Sequence, residues 1–278
     1  MATVIAISSF VARGTVGLRA IMPALDRLGH EAVALPTTLL SNHLGHARAA
    51  GSAVAPETLA AMVEALDANG WLAGADAVLT GYLPTPDHVD VVERLIARVR
   101  VLRPHALIVC DPVLGDHPGG LYVPESVAEA VRDRLVPFAT HMKVNLFELA
   151  LLSGRRIEAI ADAIEAARAL PAPVVIASSV PAGDNGLANL VVTPDRVGLC
   201  TVVRERDVPH GTGDLLAATC LAHLLDGEDP LTSVGFAASA VASVIALSRG
   251  TDELQLAGPT AWYESPPLAM AHVGSAFD

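Results

Sequence analysis

Lysine is almost missing from this chain. It has 278 residues and 18 basic side chains, of which 17 are arginines and one is Lys143. Basic residues as a class are scarce beside 30 aspartates and glutamates, which leaves a formal net charge of −12. That balance lacks the basic footprint of a nucleic-acid binder, so nucleic acid is not expected as a partner. It does not exclude anionic substrates, because backbone amides at a helix start bind phosphate whatever the net charge. Cysteine is also scarce. Cys110, Cys200 and Cys220 are odd in number, far apart and without metal-ligand spacing. The expectation is reduced, partly buried thiols in a cytoplasmic protein. No basic-then-apolar leader opens the chain, and MATVIAIS reads as a strand rather than a signal segment. The most apolar stretch, LTSVGFAASAVASVIALSRG, is interrupted by serine, threonine and glycine. It is expected to be a packed core helix, with no membrane as partner. Three fingerprints are absent as well. Without GxxxxGK[ST], GxSxG or a clear GxGxxG after the first strand, the P-loop, α/β-hydrolase and dinucleotide readings are disfavoured.

What is present is alternation. TVIAIS, EAVALPT, DAVLTGY, ALIVCDPV, THMKVN, PVVIASSV and LANLVVT read as strands. RAIMPALDRLG, PETLAAMVEALDANG, VDVVERLIARVRVL, SVAEAVRDRLV, FELALLSG and DAIEAARAL read as helices. The last third reads as a glycine turn followed by two apolar helices. Strands alternating with helices predict βαβ units, a mostly parallel sheet with helices on both faces, and a site at the strands' carboxyl ends. Hydrophobic residues make up 52%, which argues against disorder. No repeat or long linker divides the chain, so a single domain over residues 1–278 is expected.

Four stretches could carry chemistry. In HGTGDLLAA, Asp214 follows a turn of Gly211, Thr212 and Gly213 and heads an apolar helix. It can be a simple helix cap, or the turn can bring backbone amides against an anion. In CDPVLGDHPGG, Asp111 and Asp116 flank a Pro- and Gly-containing loop. They can form Asx turns, or Asp116 can meet Mg²⁺, which prefers carboxylates, waters and substrate phosphates, while Asp111 shapes the site's charge. In KVNLFELALLSG, Asn145 and Glu148 are three apart at a strand–helix junction, as a capping box requires and as a shared site also allows. SSFVARGTVG and LPTTLLSNHLGH are polar loops after strands, and His43 and His46 lack partners at metal-ligand spacing.

Taken together, these stretches resemble the pyridoxal kinases of the ribokinase-like superfamily. SSFVARGTVG, LPTTLLSNHLGH, TGYLP, CDPVLGD, LYVPE, NLFELALLSG, VVIASS and HGTGDLLAA stand in family order, and the closing DELQL is similar to the end of bacterial members. The resemblance implies a ribokinase-like α/β fold and transfer of phosphoryl from MgATP to the 5′-hydroxymethyl group of pyridoxal. It implies Asp214 as general base and the amides of Gly211, Thr212 and Gly213 as the anion hole. Ser9, Val16, His43 and Tyr82 would surround the pyridine ring. Asp116, Asn145 and Glu148 would organise Mg²⁺ and the phosphates, partly through water, with Asp116 and Glu148 as the metal's carboxylates. Ser178 and Thr212 would touch the nucleotide phosphates, and Tyr122 would lie over the nucleotide. A monovalent cation such as K⁺ and a homodimer are implied in the same way.

The chain departs from the family pattern at several positions. Phe10 stands where many members have His or Arg, Leu18 where Asn is common, and Leu44 where Thr or Pro is common; the resemblance puts all three at the vitamin pocket. On the ATP side, Lys143-Val144-Asn145 replaces Thr-Pro-Asn, and Ala177 replaces a common Thr. Lys143 is expected either to reach a nucleotide phosphate in place of the missing hydroxyl or to point to solvent. Two other readings stay open: a hydroxymethylpyrimidine kinase of the same fold, and a vitamin-binding protein with little or no activity.

Overall fold

The computed structural model describes residues 1–258 and 261–273. In chain order the elements are β1 (Thr3–Val11), α1 (Leu18–Arg27), β2 (Glu31–Leu40), β3 (Gly51–Ala53), α2 (Pro56–Ala68), β4 (Ala77–Thr80), α3 (Pro86–Leu102), β5 (Leu107–Cys110), β6 (Gly115–Asp116), β7 (Gly120–Leu121), α4 (Glu125–Ala130), β8 (His141–Asn145), α5 (Leu146–Ser153), α6 (Ile160–Arg168), β9 (Val174–Ala182), β10 (Gly186–Val192), β11 (Val197–Val203), α7 (Thr212–Leu225), α8 (Pro230–Leu247) and β12 (Ala271–His272). Ten strands form one sheet in the order β12-β11-β10-β9-β8-β5-β4-β1-β2-β3. Its six central members, β9 to β2, pair in parallel. The flanks, β3 on one side and β10 to β12 on the other, are antiparallel.

The apolar strand runs follow from burial on both faces. Along β1, Ile5 and Ile7 enter the core on one side of the sheet, while Val4 and Ala6 enter the core that also holds Leu18 and Leu25 of α1 and Leu215 of α7. Side chains alternate between faces with a period of two, and helices cover both, so every position is apolar. Three helices start on a proline in their first turn, α2 at Pro56, α3 at Pro86 and α8 at Pro230, where a missing N–H costs nothing. Helix α8 is long and apolar enough to cross a membrane. Its Leu231, Val234 and Ala237 pack instead into a core shared with Leu216 and Cys220 of α7 and Ile176 of β9.

The strands and helices read from the sequence are present, and five strands went unread. β6 and β7 have two residues each, too few to show a period. β3 and β12 are equally short edge pieces. β11 is longer, but its GLCTVV run mixes glycine, cysteine and threonine and pairs antiparallel with β10, outside the βαβ pattern. The helix expected over 126–136 is regular only to Ala130, and then widens before Pro137.

Candidate active site

The carboxyl ends of the central parallel strands carry Ser9 on β1, Tyr82 just beyond β4, Asp111 just beyond β5, Asn145 at the end of β8 and Ser178 on β9. Against this row stands the start of α7. Gly211 caps that helix with φ 104°, and a Cβ there would lie 1.9 Å from the Thr15 carbonyl oxygen. Only glycine lets the turn press on the opening loop. The Leu215 N–H donates to the Gly211 carbonyl at 3.0 Å. The amides of Thr212 and Gly213 precede that first helical bond, and such orphan donors carry the positive end of the helix dipole.

Asp214 projects from this turn. Its Oδ2 accepts from the Gly17 N–H at 2.9 Å. Gly17 has φ 54° and sits so tightly on β1 that a Cβ would lie 2.4 Å from Ser9 Oγ. The contact therefore ties together the opening loop, Ser9 and the carboxylate. Burial, and then the charge of Asp111, push Asp214 up to about 6, against the pull of the Gly17 N–H and Lys143.

Beneath Asp214 lies a buried charged cluster. Lys143 Nζ donates to both oxygens of Asp111, at 3.1 and 3.3 Å. The two residues are 5% and 3% exposed, so the pair is sealed from solvent. Burial pushes the Asp111 carboxyl up and the ammonium pulls it back. Burial opposes the lysine charge, but Asp111, Glu148 and Asp214 together hold Lys143 above its ordinary value. A Cβ on Gly213 would meet Nζ at 2.8 Å, so the ammonium lies directly against the start of α7. Within the loop after Asp111, Val113 has φ 45°. A β-branched residue in that region is strained, as is common beside functional groups.

Asn145 and Glu148 brace this loop. Asn145 Oδ1 accepts from the Glu148 N–H at 2.9 Å, and Glu148 Oε2 accepts from the Asn145 N–H at 2.9 Å. The capping box is thus formed. Glu148 Oε1 accepts from the Leu114 N–H at 2.8 Å, and Asn145 Nδ2 donates to the Gly115 carbonyl at 2.7 Å. Both Glu148 oxygens are committed to backbone donors, and burial raises the carboxyl. Asp116 is partly exposed and, among side-chain bonds, accepts only a long one of 3.3 Å from Gly119 N–H. Among the described residues no three His, Cys, Asp or Glu side chains converge on a metal position. Mg²⁺ needs only one or two carboxylates when phosphates and waters complete its shell. Asp116 fits that requirement, whereas each Glu148 oxygen already accepts a backbone N–H.

The rim is built from three distant segments. Tyr122, 47% exposed, follows the β6–β7 hairpin, and burial with the nearby Asp116 raises its phenol. His43 stacks on His210 with ring centroids 4.0 Å apart, and burial lowers its imidazole, helped by His210 and His46. Near the chain's end, Glu253 pairs with His46 at 3.1 Å and accepts from Thr15 N–H at 3.3 Å, while Thr15 Oγ1 donates to the Leu254 carbonyl at 2.9 Å. DELQL thus pins the opening loop.

Several sequence expectations change here. Lys143 does not point to solvent; its ammonium is held by Asp111 beside the start of α7. Leu18 is fully buried on the core face of α1, and Leu44 is 65% exposed, so the first departure from the family serves packing. Ser178 Oγ is 3.4 Å from the Val144 carbonyl, and Val16 is buried beside Gly17. The contributions of Gly17, Thr15 and Glu253 were not foreseen. A signal for Lys143 existed in hindsight: HMKVN lies between two apolar parallel strands, where a lysine must be buried and so requires an acid.

The family described as phosphomethylpyrimidine kinase matches residues 12–260. A pyridoxine/pyridoxal/pyridoxamine kinase of Bordetella avium is 36% identical over 265 residues, 92% of this chain and 89% of that one. A pyridoxal kinase of Deinococcus radiodurans is 33% identical, over 95% of this chain and 93% of its own. Among solved structures, the pyridoxal kinase from Leishmania donovani in complex with ADP and pyridoxamine superposes with a TM-score of 0.91 at 29% identity, covering 99% of this chain and 100% of that one.

Proposed function

Since the chain belongs to the pyridoxal kinases of the ribokinase-like superfamily, we propose that it moves the terminal phosphoryl group of ATP onto the 5′-hydroxymethyl group of B6 vitamers, pyridoxal first among them. The observation that carries the residue assignment is Asp214 at an amide-rich helix start, bonded to the backbone beside Ser9. In this reading Asp214 takes the proton of the substrate hydroxyl as the phosphoryl transfers. The amides of Gly211, Thr212 and Gly213 receive the negative charge on the transferring group. Such transfer asks a protein for alignment and charge stabilisation more than covalent chemistry.

Ser9, Val16, His43 and Tyr82 flank the vitamer. Thr212, Ser178 and Tyr122 serve the nucleotide. Asp116 is the carboxylate that would hold Mg²⁺, which when bound neutralises phosphate charge. Asn145 and Glu148 act one step back, by fixing the loop that presents Asp116. One domain over residues 1–278, a homodimer and a cytoplasmic setting complete the reading. The three buried free thiols agree with that setting.

The test is formation of pyridoxal 5′-phosphate, followed by its absorbance, with MgATP and each vitamer in turn, beside hydroxymethylpyrimidine. Faster turnover of pyridoxal supports the proposal. Faster turnover of the pyrimidine would favour a hydroxymethylpyrimidine kinase. Tight pyridoxal binding without ATP consumption would leave only a carrier.

A further inference from the structure

Family membership implies that a monovalent cation such as K⁺ assists turnover, and the buried acids of this site are where such a charge would act. They do not fit one. Asp111 and Glu148 bring two buried carboxyls together, with the partly exposed Asp214 beside them, a combination that is costly without a counter-charge. The counter-charge is already there. Lys143 Nζ contacts both Asp111 oxygens, at 3.1 and 3.3 Å, and both side chains are sealed from solvent. Each Glu148 oxygen already accepts a backbone N–H, from Leu114 and Asn145. The same ammonium stands at the start of α7, 2.8 Å from where a Gly213 Cβ would be. A potassium ion approaching Asp111 would have to displace a covalently attached cation of the same charge. In a chain with 17 arginines, the one lysine occupies this place. A compact ammonium fits where a planar guanidinium does not.

We propose that Lys143 is a built-in monovalent cation: its ammonium supplies at Asp111 the charge that related kinases draw from solution, and this enzyme neither needs nor binds K⁺ there. Lys143 is then a positioning residue. It balances the buried acids and fixes Asp111 and the start of α7 relative to each other. The proposal rests on the kinase reading for its activity arm and is independent of it for its stability arm.

The experiment uses the full chain freed of K⁺ and NH₄⁺, with tetramethylammonium chloride holding ionic strength constant. Wild type is expected to show the same kcat and the same Tm with and without KCl. Lys143→Thr and Lys143→Ala are expected to lose activity by at least about tenfold, as for loss of one preorganised charge, and to recover with KCl or NH₄Cl but not LiCl. Their Tm should rise with the same salts. Stimulation or thermal stabilisation of wild type by K⁺ overturns the proposal, even if neither variant folds. So does a folded variant whose rate and Tm ignore K⁺ and NH₄⁺. Absence of any pyridoxal phosphorylation by wild type would overturn the kinase reading, and the Tm comparison would still decide on the cation.

Discussion

Asp214 titrates near 6 because burial and the Asp111 charge together outweigh the Gly17 N–H and Lys143. A general base works best with its pKa close to the operating pH. The base must be ionised to accept a proton, so kcat/KM, which reports the free enzyme's base, should fall as pH drops below about 6. Lys143 pulls that value down, so Lys143→Ala should move the acid limb to higher pH; a pH–rate profile for both proteins checks this, and superposed limbs would detach Lys143 from the base. Asp214→Asn keeps the size of the side chain and loses its basicity. It should lower kcat by about 10²- to 10⁴-fold, the usual contribution of such a base, with pyridoxal affinity, measured by titration, little changed. A variant with most of its kcat would mean that Asp214 only ties Gly17 to the start of α7.

Two turns hold the chemistry, and they tolerate change differently. A methyl group on Gly211 meets the Thr15 backbone at 1.9 Å, whereas one on Gly213 meets only the flexible end of Lys143 at 2.8 Å. Gly211→Ala should therefore disable the enzyme and lower Tm, while Gly213→Ala should keep the fold and lose rate through a displaced ammonium. At the start of α5, Glu148→Ala leaves the N–H groups of Leu114 and Asn145 without an acceptor. The expected loss is on the order of 2–6 kcal/mol, since each buried unsatisfied donor costs about 1–3 kcal/mol. Asp116→Ala should leave the melting curve in place and raise the Mg²⁺ needed for half-maximal rate. If instead Glu148→Ala shifts the Mg²⁺ titration without loss of stability, the division of labour between the two acids is reversed. These turns also show what a sequence exposes. The glycine turn of α7 and the Asn145–Glu148 box are patterns within a few residues, and both were legible. The Lys143–Asp111 pair joins neighbouring strands 32 positions apart, and the Thr15, Glu253 and His46 contacts join loops more than 200 apart. No local periodicity carries such information. β11 was missed for a related reason, since its mixed composition becomes strand-like only when paired with β10.

On the scale of the whole molecule, the same burial that tunes the site sets how folding stability answers to acid. His141, on the central strand β8, is driven by burial from 6.5 down to about 4, and its Nδ1 lies 3.0 Å from Thr140 Oγ1. Between those values the unfolded chain takes up a proton that the folded chain refuses. Stability from His141 is therefore present above 6.5 and lost as pH falls through 4, a swing of about 3 kcal/mol at 1.36 kcal/mol per unit. Asp214 works in the opposite sense. Its folded value, about 6 against an ordinary 3.8, means the folded chain takes up the proton first. Its contribution is full below 3.8 and lost as pH rises through 6, again about 3 kcal/mol. Glu148, also raised by burial, adds to that side. Over the window from 6 to 4 the His141 term opposes the two carboxyl terms and offsets only part of them, so these three groups together favour the folded chain as pH falls. The single variants should separate. His141→Asn removes the acid-sensitive term and should gain stability relative to wild type as pH falls from about 6.5 towards 4. Asp214→Asn removes the compensating term and should lose it over the same range. Unfolding free energies of the three proteins at several pH values decide the matter: parallel curves would mean that neither buried group titrates on folding as the geometry requires.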